Sequence, residues 1–206
     1  FGPFEPDYKR VSFPQTYRPL VEGASEDELR DRHLAEIQRA ISGLEAEGIG
    51  LAGMVFCPIF ANEGLPNVPK GFLSQAAALV RAAGGLVILD EVQAGFGRTG
   101  RWWGYEVMEC TPDIVTMGKP MGAGIPLSGT ATSNAIASTF HEKCFYFNTT
   151  ASTPLQAAVG SAVLDVIEDD GPVARSARVV SSLLSWPLPF IDRSSLLLYT
   201  SDSADE

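Results

Sequence analysis

Residues 86–90, Leu-Val-Ile-Leu-Asp, form an uninterrupted apolar run closed by a carboxylate and preceded by Gly84 and Gly85. A run that short, apolar and branched reads as a strand buried on both faces. Strands of this kind belong to parallel sheets with helices packed on each side. The flanking sequence agrees. Ser25 and Glu28 make a capping box, with Glu26 and Asp27 at the positive end of the helix that follows. Leu29, His33, Ile37, Ile41 and Leu44 recur along it at helical spacing, and Gly48 and Gly50 stop it. Residues 51–56, 113–117 and 127–133 read as further strands, and residues 72–83, 134–140 and 153–169 as helices. The last helix has Pro154 in its first turn and a stripe of Leu155, Ala158, Val159, Ala162, Val163, Val166 and Ile167 that is predicted to be buried. Strand and helix alternate, which predicts an α/β fold, a mostly parallel sheet flanked by helices. Residues 1–22, rich in proline and aromatic side chains, read as an irregular, extended lead-in.

Bulk properties narrow the function. A chain of 206 residues makes one domain, or one and a fraction. A net charge of −10 without a basic stripe argues against nucleic acid or an anionic membrane as partner. No apolar run reaches the length of a membrane span, and no signal peptide opens the chain. Cys57, Cys110 and Cys144 are odd in number and hold no C-x-x-C pair. They read as reduced thiols, which places the chain in the cytoplasm or in an organelle lumen that keeps thiols reduced. His33 and His141 alone cannot make a His-rich metal site, so no metal is expected. The chain opens at Phe1 without Met and closes on a polar stretch, as a fragment of a longer reading frame would.

Gly95, Gly97 and Gly100, within GFGRTG, formally match the G-x-G-x-x-G nucleotide fingerprint. A dinucleotide turn needs its glycines directly after the strand and opening a helix. Here DEVQA intervenes, Asp90 and Glu91 would face the phosphates, and RWWGYEVM carries no long helical stripe. The glycines therefore read as allowing a tight, irregular loop. Ligands of open α/β sheets sit at the carboxyl ends of strands. Asp90 is at one such end. Lys119, among Gly118, Pro120, Gly122 and Gly124, is at another. Each has a plain alternative: Asp90 as a cap on the neighbouring turn, Lys119 as a solvated loop lysine.

Taken together, LDEVQAGFGRTG followed by PDIVTMGKPMGAGIPL resembles the class III aminotransferases, the pyridoxal-phosphate enzymes of fold type I. The resemblance runs over residues 1–170 and is strongest over 86–129. It implies that residues 1–171 are part of the large, cofactor-binding domain. Lys119 matches the lysine that condenses with the cofactor aldehyde and, once freed, moves the proton from the substrate Cα. Asp90 matches the aspartate that faces the pyridine nitrogen and keeps it protonated, so that the ring acts as an electron sink. Val92 would pack on the ring face and Gln93 would hydrogen-bond its phenolic oxygen. Thr149, in FNTTASTP, matches the threonine that reaches a phosphate from the neighbouring subunit, which implies a homodimer with a shared active site. The implied reaction moves an amino group from an amino acid or amine to a 2-oxo acid.

The chain also departs from the family pattern. Thr150, Ala151, Ser152 and Thr153 stand where an aromatic and Gly-Gly-Asn are usual, so Thr149 and its neighbours read equally well as capping the next helix. Cys57 stands where the family has a glutamate, and reads as a packed core thiol. Pro120 resembles the subgroup containing the phospholyases, which use the same cofactor to eliminate phosphate and ammonia. The family's Gly-Ser/Thr phosphate cup, ring-stacking aromatic and carboxylate-binding arginine have no counterpart in the text. Residues 172–206 no longer resemble the family and are expected to be disordered or artefactual. Three further readings therefore stand beside the aminotransferase: a phospholyase, a non-catalytic fragment that binds a partner subunit, and, last, a dinucleotide binder.

Overall fold

The computed structural model describes residues 7–19, 21–149, 151 and 153–185. Helix α1 (Glu26–Ala46) starts at the capping box: the Ser25 amide donates to Glu28 Oε2 at 2.8 Å, and the Glu28 amide donates to Ser25 Oγ at 3.3 Å. Its buried residues are Leu29, His33, Ile37, Ile41 and Leu44, the stripe read from the sequence. Strand β1 (Gly53–Phe56), helix α2 (Phe72–Ala82) and strand β2 (Leu86–Asp90) follow. Then come the short α3 (Gly104–Val107), β3 (Ile114–Met117) and a single 3-10 turn over Lys119–Gly122. Strand β4 (Gly129–Thr132) and helices α4 (Asn134–Lys143), α5 (Pro154–Asp170) and α6 (Pro172–Ser185) complete the order.

The sheet runs β1-β2-β3-β4. The first three strands are parallel, with Leu89 opposite Phe56 on one side and Val115 on the other; β4 pairs antiparallel with β3. On one face Val87 and Leu89 are fully buried against Phe72, Leu73, Ala76, Ala77 and Val80 of α2, with Ile37 and Ile41 of α1 behind them. The Asp113 carboxylate locks the amino end of this pairing. It accepts the Val87 amide at 2.8 Å and the Arg81 guanidinium Nε at 3.2 Å.

Three expectations need correction. Strand β2 is not buried on both faces: Leu86 and Ile88 are half-buried, and an open cavity of about 400 Å³ lies between Leu86 and Ile136, Thr139 and Phe140 of α4. The stripe on α5 is also largely uncovered. Ile167 is buried, Val159 and Val163 are half-buried, and Leu155, Ala158, Ala162 and Val166 are exposed. Amphipathic spacing marks a face that can be buried, but not what covers it. Residues 172–185, expected outside the fold, form α6, and its Val173 and Ala177 lie against Gly97 and Gly100. Residues 186–206 lie outside the described residues.

Residues 7–19 of the lead-in are irregular but docked. The Ser12 amide donates to Glu36 Oε1 at 2.9 Å, its hydroxyl donates to Glu36 Oε2, and its Oγ lies 3.1 Å from His33 Nδ1. Since the one hydroxyl proton goes to Glu36, His33 must donate from Nδ1, which leaves Nε2 an acceptor. That atom is buried without a partner. Burial lowers the His33 pKa, against the pull of Glu36 and the Ser12 backbone. The unfolded chain therefore takes up a proton near pH ~6.5 that the folded chain resists, so this group removes stability as pH falls below that value. His33→Gln, which keeps a donor but cannot titrate, flattens the fall in melting temperature between about pH 7 and pH 5.5; thermal melts of both proteins across that range check it.

Candidate functional site

The carboxyl ends of β2 and β3 form the site. Asp90 ends β2 opposite Thr116 of β3, and Lys119 follows Thr116 by three residues. Neighbouring strands lie about 4.8 Å apart, so parallel pairing brings the two segments to one edge without any long-range coincidence. Asp90 is half-buried. Its Oδ1 accepts the Val92 amide at 2.9 Å and has a long contact of 3.5 Å with the Thr116 hydroxyl. The turn-capping alternative for Asp90 is thus realised, but by one oxygen. No hydrogen bond reaches Oδ2 among the described residues.

Lys119 sits at φ +28° at the start of its 3-10 turn, with Pro120 directly behind it. Its side chain is exposed, and its amine has no ion pair or hydrogen bond among the described residues. Gly118 before it is buried, and a Cβ there would meet both methyls of Val92 at 3.6 Å. Val92 therefore leans on the lysine turn. Gln93 is half-buried, and its amide nitrogen donates to Asn62 Oδ1 at 2.8 Å. Asn62 belongs to the loop after β1, and no sequence signal pointed to it. Cys57 lies just beyond Phe56, which pairs with Leu89, so it borders the same edge. It is half-buried and absent from the core cluster, where Cys110 sits instead, so the expectation of a packed core thiol is corrected. All three cysteines are free.

Thr149 is exposed, in the turn after Asn148. It does not cap α5; Thr153 does, accepting the Gln156 amide at 3.3 Å while its own amide donates to Gln156 Oε1 at 3.0 Å. Thr150 and Ser152 lie outside the described residues. The structure thus brings Asp90, Val92, Gln93 and Lys119 to one edge, and leaves Thr149 on the surface.

The glycine segment is a loop, and no helix opens at its glycines. Turns run from Val92 to Thr99, with Gly97 and Gly100 at φ +87° and +82°. The chain then returns to α3, whose first amides, Gly104 and Tyr105, donate to Glu91 Oε2 and Oε1 at 2.9 and 2.8 Å. Sequence reasoning saw in Glu91 only a charge unsuited to a phosphate. Its burial follows from the return of the loop, which no local pattern records. The donor set as a whole suits an electron-poor, nitrogen-protonated ring carrying an aldehyde: a free carboxylate oxygen, an apolar side chain and a free amine.

The aminotransferase class-III family profile matches residues 1–192. Human mitochondrial alanine–glyoxylate aminotransferase 2 is 37% identical over 184 residues, which cover 89% of this chain and 35% of that protein. Among solved structures, a phospholyase from Arthrobacter in complex with phosphoethanolamine is 39% identical with a TM-score of 0.74, over 81% of this chain and 39% of that one. An (S)-enantioselective omega-transaminase from Thermomicrobium roseum is 33% identical with a TM-score of 0.76, over 84% of this chain and 39% of that one. The chain thus spans about a third of the length of its human relative.

The close approach at Gly104 yields a test. A Cβ there would lie 2.6 Å from the Ala94 Cβ and 3.3 Å from Glu91 Oε2. Gly104→Ala lowers the unfolding free energy by about 1–3 kcal/mol through overpacking. Gly43→Ala, in α1 with nothing within 4 Å, raises it by about 0.5–1 kcal/mol. Urea unfolding of the two variants checks the opposite signs.

Proposed function

The chain belongs to the class III aminotransferase family, and on that premise we propose that residues 1–171 are part of the cofactor domain of a pyridoxal-phosphate aminotransferase. The whole enzyme would move an amino group from an amino acid or amine to a 2-oxo acid. Class III aminotransferases are pyridoxal-phosphate enzymes. The observation that carries the reading is the pairing at the sheet edge: an aspartate with one uncommitted oxygen beside a lysine with an uncommitted amine.

When bound, the cofactor supplies an aldehyde that takes up amines and a protonated ring that draws electrons from the substrate Cα. Asp90 Oδ2 would hold the proton on the ring nitrogen, and its turn with Val92 keeps that carboxylate oriented. Val92 would cover one ring face, and Gln93, steadied by Asn62, would reach the phenolic oxygen. Lys119 Nζ would anchor the cofactor, and after release would carry the proton to and from Cα. Thr149 would bind a phosphate on the opposite subunit, which makes a homodimer the working unit. Its exposure on the surface supports that role.

A phospholyase on the same scaffold is a second reading. It is favoured by Pro120 behind the lysine and by the 39% identity with a phospholyase captured with phosphoethanolamine. Phosphate release from phosphoethanolamine by the dimeric enzyme supports it; amino transfer to a 2-oxo acid without phosphate release removes it.

Added pyridoxal phosphate gives a new absorption band that borohydride fixes covalently in the wild-type protein and that is absent in Lys119→Ala. Asp90→Asn keeps the Val92 turn but removes the charge. It weakens retention of the cofactor by about tenfold or more, the loss of one charge-assisted hydrogen bond of about 1.5–3 kcal/mol. No covalent band in the wild type overturns the reading.

A further inference from the structure

Glu91 is fully buried, and every polar atom it has is committed. Its amide donates to the Thr116 carbonyl of β3 at 2.9 Å, and its carbonyl accepts the Gly95 amide at 2.9 Å. Its two carboxylate oxygens take the Tyr105 and Gly104 amides. The residue next to Asp90 therefore holds the start of the loop, its end and the neighbouring strand at once. We propose that Glu91 is the positioning residue of the sheet-edge site: its ionised carboxylate ties the returning end of the 92–103 loop to the end of β2. It thereby holds Val92 and Gln93 on the side of Lys119. This rests on the cofactor reading above.

The chemistry requires the charged form. Both partners are backbone donors, so both oxygens must accept. A carboxylic acid, or the amide of glutamine, accepts at one and turns a proton toward the second N–H. Yet the surroundings oppose the charge. The charged neighbours are Asp90 and Glu106, both negative, with the Tyr105 phenol beyond, and no cation pairs with Glu91 among the described residues. Burial pushes the Glu91 pKa up, the Gly104 and Tyr105 amides pull it back, and Asp90 and Glu106 push it up further. A carboxyl whose folded pKa is raised holds its proton more tightly in the folded chain than in the unfolded one. Lowering the pH through its titration thus removes no stability through this group. What it removes is one of the two bonds to the loop. Stability and loop geometry move in opposite directions, which separates a positioning residue from one that merely stabilises the fold.

Glu91→Gln in the full chain tests this with three readouts. Trypsin cleavage at Arg98 and Arg101, both exposed in the loop, should accelerate on the order of tenfold, the loss of one charge-assisted hydrogen bond. The melting transition should stay above the temperature of the digest, so that cleavage reports the loop and not the unfolded chain. The affinity for pyridoxal phosphate, titrated by absorbance, should fall. Unchanged cleavage overturns the proposal, and so does cleavage that rises only within the melting transition. If the wild type takes up no pyridoxal phosphate, the cofactor reading fails while loop cleavage still judges the tie. If Glu91→Gln does not fold, a pH series on the wild type decides. Two of the three tryptophans, Trp102 and Trp103, end the loop. Acrylamide quenching that increases as the pH falls toward the ordinary carboxylate range, with the chain still folded at the temperature of measurement, supports the proposal. Quenching that increases only with unfolding overturns it.

Discussion

The parallel pairing of β2 with β3 is the constraint on which the site depends. Leu89 lies opposite Val115 and Asp90 opposite Thr116, and the Glu91 amide extends the ladder by donating to the Thr116 carbonyl. A shift of one residue would turn Val87 and Leu89 out of the core and Asp90 to the other face. The core prevents this, because both side chains are fully buried against α2. Apolar packing on one face thus sets where a carboxylate and an amine emerge at the edge.

Past that edge the chain makes an unusual return. Phe96 packs edge-on to Trp103 at 5.3 Å, and Trp103 stacks on Tyr105 at 6.4 Å, so the loop has an aromatic interior of its own. Its positive-φ glycines also let α6 come close: a Cβ at Gly100 would lie 2.9 Å from the Ala177 Cα. The glycines that imitate a nucleotide fingerprint therefore serve backbone approach, first to Glu91 and then to a helix.

The far side of the sheet is open. Strand β4 is mostly exposed, α4 has no buried residue, and Phe145, Tyr146 and Phe147 stand in solvent beside Thr149. Helix α5 touches the lysine turn, where Gln156 donates to the Pro126 carbonyl at 2.8 Å, but most of its apolar stripe faces outward. A periodic stripe in sequence records that a surface is apolar. Whether another surface meets it depends on what lies beyond the chain's own contacts.

Local order was legible from the text because its causes are local. The Ser25 cap, the α1 stripe and the strand segments each depend on residues within a turn or two, and all formed as read. The order Asp90 then Lys119, each at a strand end, was also present in the sequence. What the tertiary structure decided concerns partners far apart in the chain. Glu91 is buried because amides 13 and 14 residues later return to it. Gln93 is held by Asn62, 31 residues earlier. Cys57 lies at the edge rather than in the core. Helix α6 closes on the loop through contacts that its own composition does not announce. Side-chain spacing encodes the face of a helix or strand; a hydrogen bond across a loop depends on the path of the backbone, which exists only once the sheet has been assembled.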